Sequence, residues 1–285
     1  MIISEYDARE PAGLTIQLSI ATTRERPLTF SQTMTLVDTL ARLHLKGEAR
    51  KYALGYLWWI VEPMLFVAIF YIVFEMLLQN RHPDFLYFLM VGKLVFIWFS
   101  KSVSQAANSI ESNKGLMAQL NLRKEILPLA VIHQGLYRQL VVFGFLLIFL
   151  AAVGYAVTVT WWWLVPVVLI QTMLTVACGL LAALLVCFQR DFLLLVQLGI
   201  VFLLFVSGIF WDVNAIPDEG LRHWLLILNP LATLIDYYRQ ILLSGAVPSP
   251  EPLVRVLLQA VALLGVAIFA YHRLQFWIAR QVISR

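Results

Sequence analysis

The chain has 285 residues, of which 61% are apolar and only 13% charged, and its mean hydropathy is +0.80. Soluble domains sit nearer half apolar and a quarter charged, so a water-soluble enzyme is excluded and lipid has to cover much of this surface. The 21 basic residues outnumber the 17 acidic ones by a surplus of +4, which in so apolar a chain reports orientation rather than nucleic-acid binding.

Residues 1–28 are polar and mixed in charge, without the apolar core and small-residue cleavage site of a signal peptide, and predict a cytoplasmic tail. Over 29–52, Phe30, Met34, Val37 and Leu40 repeat at helical spacing, while Asp38, Arg42 and Lys46 fall on the other side. Thr29 with Gln32 matches a capping box. This predicts an amphipathic interface helix lying on membrane lipids.

Residues 53–285 hold the membrane domain. A spanning helix needs about 20 apolar residues, and stretches near 54–78, 85–103, 140–157, 164–188, 192–210 and 253–277 meet this. The fold class expected is all-α integral membrane, with six transmembrane helices. The third and fourth should form a tight hairpin, with Trp161, Trp162 and Trp163 at the membrane surface. Arg42, Lys46, Arg50, Lys51, Lys114, Arg123, Lys124, Arg190, Arg280 and Arg285 enrich one set of connections, which should be cytoplasmic and hold both termini. Residues 212–245 contain two apolar pieces parted by Asn229-Pro230, each too short to cross, and predict re-entrant helices that cap a cavity on the outer side. Cys178 and Cys187 lie in one apolar run and read as small buried residues.

No GxxxxGK[ST], HExxH or GxSxG motif occurs, the five histidines are scattered, and no catalytic or metal constellation is expected. Ionisable groups inside spans are costly and usually functional. Glu62 precedes Pro63 in the first span, and Lys93 and Lys101 share one side of the second. The inner half of that second span carries Ser100, Lys101, Ser102, Ser104, Gln105, Asn108 and Ser109, a face that lipid would not tolerate and that should meet water or protein. In the first span Tyr52, Tyr56, Trp59, Phe66 and Phe70 recur at intervals of four, three, seven and four, with Pro63 in the gap. Such a stripe offers apolar ring faces on which a substrate can slide, and Lys101, Ser104 and Asn108 would add hydrogen bonds and a positive charge. These eight residues form the predicted substrate path; a packing seam is the other reading. The connection 111–128, with Leu116, Arg123, Lys124 and Glu125 on a short helix over 116–127, is long enough to dock another protein.

The chain resembles the transmembrane permease subunit of type 2 ABC exporters for bacterial cell-surface polysaccharides: O antigen, capsule and teichoic acid. The residues that carry the resemblance are Leu54-Gly55-Tyr56-Leu57-Trp58 with Glu62-Pro63; Ile110-Glu111 with Asn113-Lys114-Gly115-Leu116; Glu125-Ile126-Leu127-Pro128-Leu129; Arg190-Asp191; Ser207-Gly208-Ile209-Phe210 with Ile216-Pro217; and Asn229-Pro230 with Tyr238-Arg239. Where O-antigen members commonly carry an aromatic–proline pair before the Glu, Leu122 and Arg123 stand here. The resemblance implies a homodimer in the bacterial inner membrane with two copies of a separate nucleotide-binding ATPase subunit. That subunit would hold ATP and Mg, so this chain needs no cofactor. It further implies a lipid-linked glycan as substrate and a periplasmic gate at Trp211, Asn229, Pro230 and Arg239. The rivals are a drug or small-molecule exporter permease of the same class and a membrane-embedded glycosyl or lipid transferase.

Overall fold

The computed structural model describes residues 29–77, 84–113, 115 and 123–283. Every regular element among them is helical. In chain order these are α1 (Phe30–Lys51), a 3-10 turn (Gly55–Leu57), α2 (Trp58–Tyr71) running into a π-helical stretch (Ile72–Leu77), α3 (Phe85–Ser112), α4 (Ile126–Val153), a 3-10 turn (Val159–Trp163), α5 (Leu164–Phe188), α6 (Phe192–Val206), α7 (Glu219–Leu228), α8 (Pro230–Leu242) and α9 (Pro250–Ile283). Residues from Leu36 onward form one compact unit.

Among the described residues four helices are apolar and long enough to cross a bilayer: Phe85–Ser112, Ile126–Val153, Val159–Phe188 and Pro250–Leu274. The chain is thus a multi-pass all-α membrane protein. The 28 residues of α3 reach about 42 Å at 1.5 Å per residue, beyond the ~30 Å hydrocarbon layer. The 15 residues of α6 reach only about 22 Å.

Several helix limits differ from those expected, each for a local reason. The second predicted span continues past residue 103 to Ser112, because its polar inner half stays helical. The third begins at Ile126 rather than near 140, because Gln134, Tyr137 and Arg138 all find polar partners on α1. It ends at Val153, where Gly154 adopts a φ of 111°. The fifth stops at Val206 instead of 210, because residues 207–210 turn to meet Arg239.

α3 lies at the centre. α5 and α4 pack along it most extensively, and α8, α2 and α6 cover more of it. Leu89, Leu94, Val95, Leu146, Leu174 and Tyr238 are almost wholly enclosed there. The buried Gln171 amide donates to the Val95 carbonyl at 3.1 Å, so α5 is tied to α3 by a polar contact inside the apolar core.

α1 starts with the expected box: Thr29 N–H donates to Gln32 Oε1 at 2.9 Å, and Gln32 N–H donates to Thr29 Oγ1 at 3.3 Å. Further along, α1 packs on α4. Val37 is buried against Ile126 and Ala130 of α4, with Leu40 packed alongside. On the face expected to be wet, Asp38 pairs with Arg42 at 2.9 Å and accepts a hydrogen bond from Tyr137 Oη at 2.5 Å. That hydroxyl, with Arg42 and His133 beside it, holds the Asp38 carboxyl below the usual carboxylate range. From Leu36 on, α1 is therefore docked on protein through apolar and polar residues alike.

Candidate functional site

The polar stripe of α3 opens onto two adjoining cavities. The larger, about 640 Å³, is lined by Ser104, Gln105 and Asn108 of α3, by Glu48 and Lys51 of α1, by Tyr52, and by Gln197 of α6. The smaller, about 380 Å³, is lined by Ser100, Lys101, Ser104, Gln105 and Gln197. Positions 101, 104, 105 and 108 are three or four apart and share one helix face. The stripe borders open space walled by α1 and α6.

Charges around the groove are matched in pairs. Lys101 Nζ meets Glu62 Oε2 of α2 at 2.5 Å. Arg138 Nη1 meets Glu48 Oε1 at 2.9 Å, and its Nη2 reaches Gln105 Oε1 at 3.5 Å. Gln134 donates its amide to the other Glu48 oxygen at 2.6 Å. Glu48 thereby joins α1 to α4, and Arg138 joins α4 to α3. Pairing of this kind is what permits ionised groups at membrane depth.

The aromatic stripe does not form one unbroken helix face. Gly55 takes a φ of 52°, a left-handed conformation that separates Tyr52 from α2. Tyr52 reaches the larger cavity. Tyr56 sits in the 3-10 turn with its ring 4.8 Å from Trp59. Trp59 and Pro63 are buried next to Glu62, Lys101 and Arg138. Phe66 lies against the buried Lys93, whose ammonium is 5.3 Å from the ring centroid. The Phe70 side chain falls outside the described residues. Of the eight predicted path residues, Tyr52, Lys101, Ser104 and Asn108 border the two cavities.

In the connection after α3, Leu116 lies outside the described residues. Arg123 and Glu125 pair at 2.6 Å in the turn that leads through Lys124 directly into α4. The described end of the predicted short helix is therefore a turn up to Glu125, and Ile126 and Leu127 already belong to the long helix. Glu111 at the end of α3 pairs with Arg190 at 2.6 Å, linking two of the sequence motifs. Ile110, Leu127, Ala267 and Tyr271 bury together just beneath.

The predicted gate residues are built into packing. Arg239 is buried and donates to three backbone carbonyls: Gly208 at 2.7 Å, Ile209 at 3.0 Å and Phe88 at 3.2 Å. Its guanidinium carbon stands 3.3 Å over the Phe88 ring centroid. Only glycine suits position 92, since a Cβ there would run into Arg239 Nη2. Gly208 has a φ of 70°, and a Cβ on it would sit 2.5 Å from Val213 Cγ2. Trp211 Nε1 donates to the Phe205 carbonyl at 2.9 Å.

Asn229 is the hinge between α7 and α8. Its Oδ1 accepts from Leu231 and Ala232 N–H, both at 3.2 Å, Pro230 fills the first helical position, and Nδ2 donates to Ser207 Oγ at 2.9 Å. Asn229→Ala removes the cap and orphans the buried Ser207 hydroxyl, an expected loss of about 1–3 kcal/mol. Thermal unfolding in detergent should show it. Asn229→Asp keeps the cap acceptor and should lose less; equal melting of Asn229→Ala and the parent would contradict this role.

The sequence reading missed Glu48, Gln134, Arg138 and Gln197. Gln134 and Arg138 stand four apart on one face, a visible signal, but a hydropathy window that opens near 140 discards them. Gln197 is the lone amide in Phe192–Val206 and could have been singled out for that reason.

A profile of the family described as ABC-2 type transporter matches residues 35–243. The chain is 30% identical over 246 residues to the O-antigen export system permease protein RfbA of Myxococcus xanthus, covering 85% of this chain and 94% of that one. It is 27% identical over 212 residues to the protein of the same name in Klebsiella pneumoniae, covering 74% and 81%. Identity to the polysialic acid transport protein KpsM of Escherichia coli is 24% over 222 residues, covering 73% and 81%.

Proposed function

Because the chain belongs to the ABC-2 type transporter family, we propose that it is the permease subunit of an ATP-driven exporter moving lipid-linked polysaccharide across the bacterial inner membrane. The observation that carries this reading is the polar face of α3, a helix long enough to span the bilayer, opening onto a groove of about 640 Å³. A long glycan needs a wall offering many exchangeable hydrogen bonds and no single tight site. Hydroxyls and carboxamides at 104, 105, 108 and 197 supply that, and Tyr52 adds an aromatic surface. The relatives named for O-antigen export and polysialic acid transport support the same substrate class.

In the proposed assembly two copies of this chain pair with two ATPase subunits, which carry ATP and its Mg. The chain crosses six times with both termini cytoplasmic, the short segments of α2 and α6 being the first and fifth crossings. α7 and α8 re-enter from the periplasmic side and, with Trp211, Asn229, Pro230 and Arg239, close the path. The turn at Arg123, Lys124 and Glu125, together with Leu116, is the surface that meets the ATPase. Vesicles holding this chain and its ATPase should take up lipid-linked polysaccharide in an ATP-dependent manner. Glu125→Lys should cut ATPase association and uptake at least tenfold while the chain still inserts. ATPase activity stimulated by small apolar drugs and unresponsive to glycan would overturn the reading in favour of a drug exporter.

A further inference from the structure

Gln197 is the only amide on an apolar helix, FLLLVQLGIVFLLFV. A carboxamide aimed at lipid loses its hydrogen bonds to water and gains none. Gln197 instead borders both cavities and faces Ser104 and Gln105 of α3 across them. Two charges on this wall are already matched: Lys101 by Glu62, and Glu48 by Arg138. Among the described residues the larger cavity otherwise offers amides and hydroxyls, at Gln105, Asn108 and Gln197 with Ser104, and two basic side chains at the α1 end, His44 and Lys51.

We propose that this groove is a passage for uncharged glycan, with Gln197 and Asn108 as specificity-determining residues. The inference rests on the polysaccharide-exporter reading above and narrows its substrate class. Sugar hydroxyls both donate and accept, and a carboxamide answers both roles, so each contact can be exchanged for the next as the chain slides. A polyanionic glycan brings one carboxylate or phosphate per repeat. It would need a series of unmatched cations along the wall, and it would meet the carboxylate of Glu48, which is committed to Gln134 and Arg138.

The test uses the complete complex of this chain with its ATPase in vesicles. Lipid-linked mannan serves as the uncharged probe and lipid-linked polysialic acid as the polyanionic one. Mannan should move at least tenfold faster than polysialic acid. Gln197→Leu, which suits an apolar helix and leaves folding intact, should lower mannan transport about tenfold. Asn108→Lys with Gln197→Lys should narrow the preference by raising polysialic acid transport. Faster transport of polysialic acid than mannan by the parent protein, or unchanged mannan transport by Gln197→Leu, overturns the inference and leaves the exporter reading standing. Transport of neither glycan by a complex with active ATPase overturns both.

Discussion

Arg239→Met should leave little folded protein to recover. The guanidinium is buried, and the carbonyls of Gly208, Ile209 and Phe88 accept from it. Hydrogen bonds from a charged donor contribute about 1.5–3 kcal/mol each, and an orphaned buried carbonyl costs further. A loss of about 3–5 kcal/mol is therefore expected, a large part of the 5–15 kcal/mol that holds a typical domain folded. Arg239→Lys should fall between, since one ammonium does not reproduce a planar fork directed at three separate oxygens. Yield of monodisperse protein in detergent and its melting temperature report both effects. If Arg239→Met melts within a few degrees of the parent and only export fails, Arg239 works as a moving gate rather than as a clamp.

The same residue shows how far the sequence could be read. The family resemblance, through Asn229-Pro230 with Tyr238-Arg239, places Arg239 at a gate. Its partners are carbonyls at 88, 208 and 209, and no periodicity in a sequence reveals which carbonyls a guanidinium will reach. The long apolar helices were legible because twenty apolar residues have few other uses. Their ends were less so. α4 begins well before its apolar run, since Gln134, Tyr137 and Arg138 are matched by Glu48 and Asp38 of a helix some ninety residues earlier. The aromatic periodicity of the first span was real as spacing. Tyr52 nevertheless leaves the common face, because Gly55 turns left-handed between it and α2. The polar face of α3 was legible because seven polar side chains within ten residues of an apolar helix demand a non-lipid environment; the opposing Gln197 is one residue, a weaker signal readable only as the lone amide of its apolar helix.

The second large effect should come from Glu48 and Arg138, and it should depend on which partner is removed. Glu48→Ala leaves the Arg138 guanidinium, whose side chain is only 11% exposed, with the Gln105 oxygen at 3.5 Å as its remaining partner. Stripping one member of a buried pair typically costs about 3–5 kcal/mol, because the other charge stays desolvated. Arg138→Met instead leaves the carboxylate, which is 25% exposed and keeps the Gln134 amide. That loss should be smaller, about 1–2 kcal/mol. In Glu48→Ala with Arg138→Met no charge is stranded, and the methionine fills part of the space that the pair leaves. The double variant should therefore be more stable than Glu48→Ala alone, and melting temperatures should give a coupling of at least about 1.5 kcal/mol between the sites. Simple addition of the two single effects would show that the pair contributes nothing beyond its separate contacts. α1 would then be held to α4 mainly by Val37 against Ile126 and Ala130 and by Asp38 under Tyr137. A strong coupling makes Glu48 the polar tie through which a displacement of α1 reaches Arg138, Gln105 and the groove wall.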